Sequence, residues 1–370
     1  MQQTASNKIK KIGVIGTVGL PANYGGWETL VNQLTLNLNK KFEFVVYCSA
    51  RSYSVKKKSH NNAELVYLPF KANGIQSIPY DIVSMFHALI YVDILLVLGV
   101  SGCIFLPLIR LLSKKKLVVN IDGIEWKRGK WSKFAKWFLK LSEKVAVKYA
   151  DILVTDNQAI ADYVMEKYNV KSSVVEYGGD HVSQTSLTTS QSNDEFACLQ
   201  FLKQDYFFCV CRIEPENNIS MILSAFIKTP QRRLIFVGNW NSSAYGIKLR
   251  ERFSDAVNIN LLDPIYDQGK LDILRSNAFY YIHGHSVGGT NPSLVEAMNL
   301  GLPVLAYDVS YNRVTTEGMA DYFSDESELR AILVNLNDGK NNANAMHEIA
   351  KRRYTWDIIA SKYNDFLSKC

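Results

Sequence analysis

The sequence predicts an α/β protein of two domains, each a parallel sheet with helices on both faces. Three observations predict it. At 370 residues the chain is long enough for two domains of ordinary size. Short apolar runs alternate with stretches of helical spacing through both halves. A Ser-, Thr- and Gln-rich stretch, 182–194, separates the halves.

In the first half, residues 10–16 read as a buried strand, followed by a glycine- and proline-containing loop through Gly26. Leu30, Val31, Leu34 and Leu38 then repeat at helical spacing, predicting a helix over 27–38. Strands are expected at 42–48, 63–68, 93–100, 117–121 and 151–155, and helices at 78–91, 105–112 and 133–149. In the second half, strands are expected at 207–212, 233–237, 259–261, 279–282, 304–307 and 322–323. Helices are expected at 221–226, 268–276, 292–300, 326–336 and 354–367. The domain expectation is therefore 1–180, a linker at 181–204, a second domain at 205–350 and a C-terminal helix in 351–370.

Composition narrows the class. Hydrophobic residues make up 47%, normal for a protein with large cores. Six cysteines occur without a C-x-x-C pair, so neither a disulfide framework nor a zinc site is expected. Residues 1–8 lack the apolar core of a signal peptide, which suits a cytoplasmic protein. The run 94–109 is 16 residues long and interrupted by Gly99, Gly102 and Pro107, whereas a membrane span needs about 20. A strand, a turn and a helix start explain it better. The net charge of +7 is local: residues 108–148 hold 12 Lys/Arg against 3 Asp/Glu. That concentration suggests a local anionic partner.

The segment His283-Gly284-His285-Ser286-Val287-Gly288-Gly289-Thr290-Asn291-Pro292-Ser293-Leu294-Val295-Glu296-Ala297-Met298 carries the most chemistry. It runs from an apolar strand through a glycine turn into a short helix. Asn291 suits the helix cap and Pro292 its first position. Free N–H groups at such a helix start favour a phosphate. Glu296, one turn further in, is placed to accept hydrogen bonds from sugar hydroxyls. These features together describe a nucleotide-sugar pocket.

This segment resembles the donor-binding signature of glycosyltransferase family 4, retaining enzymes of the GT-B fold. Glu296-Ala297-Met298 and Gly301-Leu302-Pro303-Val304 match the pattern, while the first of the family's two glutamates falls on Gly288. The Gly-Gly-Thr-Asn-Pro-Ser variant is similar to the bacterial rhamnosyltransferase branch of polysaccharide assembly. The resemblance implies two Rossmann-like domains facing across a cleft, donor on the second and acceptor on the first. Arg212, within Cys211-Arg212-Ile213-Glu214-Pro215-Glu216-Asn217-Asn218, matches the family's phosphate-gripping arginine. The lysine expected after it is replaced by Asn217 or Asn218, so one positive charge is missing. A guanidinium suits diphosphate oxygens because it offers two donors.

The loop from Gly19 to Thr29 resembles the family's first-domain loop, and Gly25 and Gly26 are expected to turn backbone amides toward the diphosphate. A dinucleotide site is disfavoured, since Gly13, Gly16 and Gly19 are spaced G-x-x-G-x-x-G and no acidic residue ends the second strand. Asp122 stands where family members carry a histidine for a 6-hydroxyl, which favours a 6-deoxy sugar. Asp122 either orients or deprotonates the acceptor hydroxyl or caps a turn. Tyr177-Gly178-Gly179-Asp180 is expected at the domain boundary. His283 and His285 are expected to line the sugar pocket rather than bind metal. No cofactor is expected.

Lys133, Lys136, Lys140, Lys144 and Lys148 form one stripe of the expected helix, with Phe134, Trp137, Phe138, Leu141 and Val145 beside it. This is either a solvated basic face or a helix lying on an anionic membrane through residues 126–148. The partners implied are a nucleotide-sugar donor, a lipid-linked sugar acceptor and the inner membrane face, with no nucleic acid. Taken together, the expected reaction is transfer of L-rhamnosyl from dTDP-L-rhamnose. The alternatives are a UDP- or GDP-sugar donor, or a non-catalytic protein of the same fold.

Overall fold

The computed structural model describes residues 9–22, 25–186, 204–336 and 340–370. Residues 187–203, most of the expected linker, lie outside the described residues. So do Asn23 and Tyr24 of the first glycine loop and residues 1–8, where the absence of a signal peptide was expected. The chain forms two compact units. One is built from Met1–Trp126, Trp131–Val175 and Asp357–Cys370, the other from Lys127–Lys130 and Glu176–Trp356.

The first unit is an eight-stranded sheet. Its strands are β1 (Lys10–Ile15), β2 (Phe42–Ser49), β3 (Ser59–His60), β4 (Ala63–Leu68), β5 (Ile94–Leu98), β6 (Lys116–Asn120), β7 (Ile152–Thr155) and β8 (Ser173–Val174). Their order is β3-β4-β2-β1-β5-β6-β7-β8, parallel except for the β3–β4 pair. Every residue of β5 is buried, as a strand covered on both faces requires. The apolar run 94–109 is thus strand, turn and the start of a short helix. Among the described residues no helix is long and apolar enough to cross a membrane.

The helices of this unit are α1 (Gly26–Leu38), α2 (Ser77–Tyr91), α3 (Leu106–Leu112), α4 (Lys133–Tyr149) and α5 (Gln158–Tyr168). The reading of the sequence had no helix at α5, although Asn157 caps it by accepting from the Ala159 N–H at 2.9 Å. On α4 the core face is Leu139, Ser142, Glu143, Ala146 and Val147. Phe134 and Trp137 are 74% and 59% exposed and lie against each other with ring centroids 5.8 Å apart. The two aromatic rings therefore face solvent instead of the core. Trp126 is held inward, its indole N–H donating to Glu143 at 3.0 Å.

The second unit is a six-stranded parallel sheet of β9 (Tyr206–Val210), β10 (Arg233–Val237), β11 (Ile259–Leu262), β12 (Tyr280–His283), β13 (Val304–Tyr307) and β14 (Asp321–Phe323), in the order β11-β10-β9-β12-β13-β14. Its helices are α6 (Ile219–Ile227), α7 (Ala244–Phe253), α8 (Gln268–Ser276), α9 (Pro292–Asn299), α10 (Ser310–Thr315), α11 (Glu326–Asn335) and α12 (Lys340–Arg353). Phe207, Phe226, Phe236 and Trp240 anchor the core on one face, with Phe207 edge-on to Phe226 at 5.3 Å. The final helix, α13 (Trp356–Leu367), belongs to the first unit, where Tyr363 accepts from the Asn120 side chain at 3.1 Å. The expected helix over 354–367 starts two residues late because α12 precedes it. With few apolar residues, α12 gives little periodic signal.

Candidate functional site

The loop between β12 and α9 is fixed by close contact with residues 212–218. A Cβ on Gly284 would lie 2.3 Å from the Asn217 carbonyl oxygen, so only glycine allows this approach. Asn218 donates its side-chain amide to the Gly284 carbonyl at 2.9 Å. Ser286 donates both its N–H, at 2.9 Å, and its Oγ, at 2.8 Å, to the Glu216 carbonyl. Asn291 caps α9, accepting from the Ser293 N–H at 3.1 Å, and Pro292 occupies the first turn. Gly288 has φ +149° with open space around its Cβ direction, so the position of the missing glutamate is unfilled. Gly289 is half-buried and Thr290 buried beside it. The sheet end, the glycine turn and the capped helix start thus form one anion-favouring loop.

His283 is the last residue of β12 and fully buried, so it does not line the loop as expected from the sequence. His285 stacks on it, with centroids 4.3 Å apart and planes 11° apart. Burial pushes the His283 imidazole down to about 3. Burial, then His283 and the charges of Arg212 and Arg128, push His285 well below its ordinary value. Both rings are neutral at pH 7. His283 Nε2 and His285 Nδ1 are buried without a hydrogen-bond partner among the described residues.

Glu296 is held from two sides. Arg275 of α8 donates to Oε2 at 2.6 Å, and His181 Nε2 lies 3.3 Å from Oε1. Trp356 donates its indole N–H to His181 Nδ1 at 3.0 Å, which leaves the imidazole proton on Nε2, facing Glu296. Burial alone would raise the Glu296 carboxyl, but the Arg275 guanidinium and the His181 bond override it and hold it at about 2. Arg275 is itself 2% exposed and also pairs with Asp272 at 3.4 Å. Sequence reasoning missed both His181 and Arg275. His181 directly follows the Tyr177-Gly178-Gly179-Asp180 corner, which was the available signal. For Arg275 there was none, because its partner lies 21 residues away.

Arg212 is exposed at the end of β9. Asn217 donates its amide to the Arg212 carbonyl at 2.6 Å and Asn218 binds Gly284, so both residues at the expected lysine position serve the backbone. Glu214 pairs with Lys130 at 3.3 Å and with Arg128 at 3.5 Å. Burial would raise its carboxyl, and the charges of Arg212, Lys130 and Arg128 hold it below the ordinary value. Both carboxylate oxygens of Glu216 are buried without a hydrogen-bond partner among the described residues.

The remaining residues lie in the first unit. Gly25, with φ +120°, precedes α1 and Gly26 begins it, leaving that helix start without a side-chain cap. Glu28 reaches back to the loop, accepting from Thr17 Oγ1 at 2.8 Å and the Val18 N–H at 2.6 Å. Asp122 follows β6 with φ +60°, its N–H donating to Asn120 at 3.0 Å. Its carboxylate has no hydrogen-bond partner among the described residues. The structure therefore brings Arg212, His285, Gly288, Gly289, Thr290, Asn291 and Glu296 to one edge of the second sheet, while Gly25, Gly26 and Asp122 lie in the first unit.

The model of a family described as glycosyl transferases group 1 matches residues 191–353, and that of a domain of unknown function, DUF1972, matches residues 9–180. No curated protein matches the chain. Among solved structures, sucrose-phosphate synthase from Thermosynechococcus elongatus is similar with a TM-score of 0.80 at 15% identity, over 97% of this chain and 98% of that one. Anabaena HepE in complex with UDP-glucose is similar with a TM-score of 0.75 at 14% identity, over 98% and 100%. The α,α-trehalose 6-phosphate synthase from Burkholderia multivorans follows at 0.72 and 10%, over 98% and 96%. At these identities the likeness speaks for the fold, two Rossmann-like α/β domains of the GT-B type. Residues 191–353 are thus similar to glycosyl transferases group 1, within a chain whose fold is that of the GT-B structures.

Proposed function

We propose that the protein is a retaining hexosyltransferase that moves L-rhamnosyl from dTDP-L-rhamnose onto a sugar carried by a polyprenyl diphosphate. The observation that carries this reading is the β12–α9 loop, whose glycine turn and capped helix start lie beside Arg212 and Glu296. Such a loop suits a nucleoside diphosphate, and Arg212 offsets charge on the leaving group. With Gly288 in place of the first glutamate, that carboxylate is not there to form a covalent intermediate. The acceptor oxygen bonds the anomeric carbon on the face from which the diphosphate departs, and the acceptor proton passes to the leaving phosphate oxygen. Asp122, unpaired among the described residues of the first unit, orients the acceptor hydroxyl. Its place in this loop, where family members carry a histidine, favours a 6-deoxy sugar.

A membrane location is supported by the surface of α3 and α4. Lys133, Lys140, Lys144 and Lys148 are exposed on α4 beside Phe134 and Trp137, and Leu108, Leu111 and Leu112 are exposed on α3, which packs against it. Basic side chains with protruding apolar ones suit an anionic lipid surface. A second donor reading, a UDP-hexose, is favoured by one observation: the similar HepE structure holds UDP-glucose. The test is to incubate the purified protein with dTDP-rhamnose, UDP-glucose and GDP-mannose and membrane lipid acceptors, and to weigh the products. A deoxyhexosyl increment supports the first reading. A hexosyl increment supports the second and removes the deoxysugar claim. No nucleotide release from any donor leaves a binding protein of the same fold.

A further inference from the structure

The segment Lys127–Lys130 lies in sequence between β6 and α4 of the first unit, yet it packs with the second. Its anchor is Glu214, which takes Lys130 on Oε1 at 3.3 Å and Arg128 on Oε2 at 3.5 Å. Glu214 is two residues from Arg212, and its N–H donates to the Arg212 carbonyl at 2.9 Å. Glu216, two residues further, accepts both bonds from Ser286, the neighbour of His285. Arg128 is thereby brought to the same edge of the sheet as Arg212 and the donor loop. Its side chain is only 11% exposed, so its charge acts with little screening by water. Beside burial and His283, the charges of Arg212 and Arg128 push the His285 imidazole down. Residues 212–218 supply only one cation of their own, because the amides of Asn217 and Asn218 are consumed by backbone carbonyls.

We propose that Arg128, positioned by Glu214, is the second cation of the donor diphosphate site and works as a pair with Arg212. The proposal rests on the nucleotide-sugar reading above. A guanidinium is the fitting group here, since its planar fork meets phosphate oxygens with two donors while one edge stays on Glu214. Glu214 thus acts through Arg128 and is a positioning residue.

The experiment compares nucleotides that differ by one phosphate. Affinities for UDP and dTDP, and for UMP and dTMP, are measured by calorimetry on the full chain and on Arg128→Gln. The expected result is a loss of about 10- to 100-fold for the diphosphates with little change for the monophosphates. An equal loss for both classes, or no loss for the diphosphates, overturns the proposal. If Arg128→Gln does not fold, Arg128→Lys keeps the charge on Glu214. That variant should lose about tenfold for the diphosphates alone, and unchanged diphosphate affinity in it overturns the proposal equally. A wild-type protein that binds none of the four nucleotides overturns the nucleotide-sugar reading itself. Diphosphate binding that ignores Arg128 overturns only the role given to that residue.

Discussion

Arg275 and Glu296 form a buried ion pair at 2.6 Å between α8 and α9, with His181 on the opposite carboxylate oxygen. The pair fixes the carboxylate that follows the donor loop by one helical turn. Breaking such a pair from one side leaves an uncompensated buried charge, which costs about 3–5 kcal/mol. Arg275→Met and Glu296→Gln should each lower the denaturant midpoint substantially. The double variant should cost clearly less than the two single losses together, because losing Arg275 then strands no Glu296 charge, although Asp272 still loses its partner. Simple additivity in a double-mutant cycle would mean that the two side chains do not depend on each other.

The same pair sets an acid response. Glu296 is held at about 2 against an ordinary 4.5. A folded-state value below the unfolded one contributes stability that is fully present above the unfolded value and is lost as pH falls through the folded one. The contribution is roughly 3 kcal/mol at most, and its window runs from about pH 5 down to about pH 2. In urea melts across that window the wild type should lose stability faster than Glu296→Gln. Parallel curves would show that Glu296 is not ionically held.

At the donor loop, Gly284→Ala should disturb function more than its size suggests. The added methyl would meet the Asn217 carbonyl at 2.3 Å and push the loop away from residues 212–218. Donor KM should rise at least about tenfold, as expected when a positioning contact shifts by a fraction of an ångström. Asn291→Ala should cost about 1 kcal/mol of stability through the lost cap. Full donor affinity in Gly284→Ala would detach residues 212–218 from the site.

The exposed surface of α4 predicts reversible attachment to anionic lipid. Each lysine near such a surface contributes about 1 kcal/mol, fading within a Debye length. Replacing Lys133, Lys136 and Lys140 by Gln should release the protein from phosphatidylglycerol vesicles and leave any residual binding less sensitive to salt. Phe134→Ala with Trp137→Ala should weaken binding at every salt concentration. Turnover of a water-soluble acceptor analogue should survive both changes. Sedimentation of the triple variant with vesicles at the wild-type level would make the stripe a solvated face only.

Much of the fold was legible because buried parallel strands such as Ile94–Leu98 are apolar throughout and punctuated by glycine. Helices α7 and α12 escaped the reading because α12 is mostly polar and α7 buries only a narrow stripe, Leu249 and Phe253. The β12–α9 loop was legible because its cap, glycines and Glu296 lie within one continuous segment. What surrounds it was not. His181 and Arg275 meet Glu296 from 115 and 21 positions away, and Arg128 meets Glu214 from 86. Periodicity carries no information about such encounters. Phe134 and Trp137 show the complementary limit: their spacing left a solvated face and a lipid-facing one open, and both rings are exposed while the neighbouring stripe of α4 packs.

The central claim is that a nucleoside diphosphate sugar binds the β12–α9 loop of the second unit. Backbone hydrogen exchange, measured with and without saturating UDP or dTDP, tests it most directly. The account predicts new protection concentrated in residues 284–296 and 212–218, and its disappearance in Gly284→Ala. Protection confined to other segments, or none at saturating nucleotide, would contradict it.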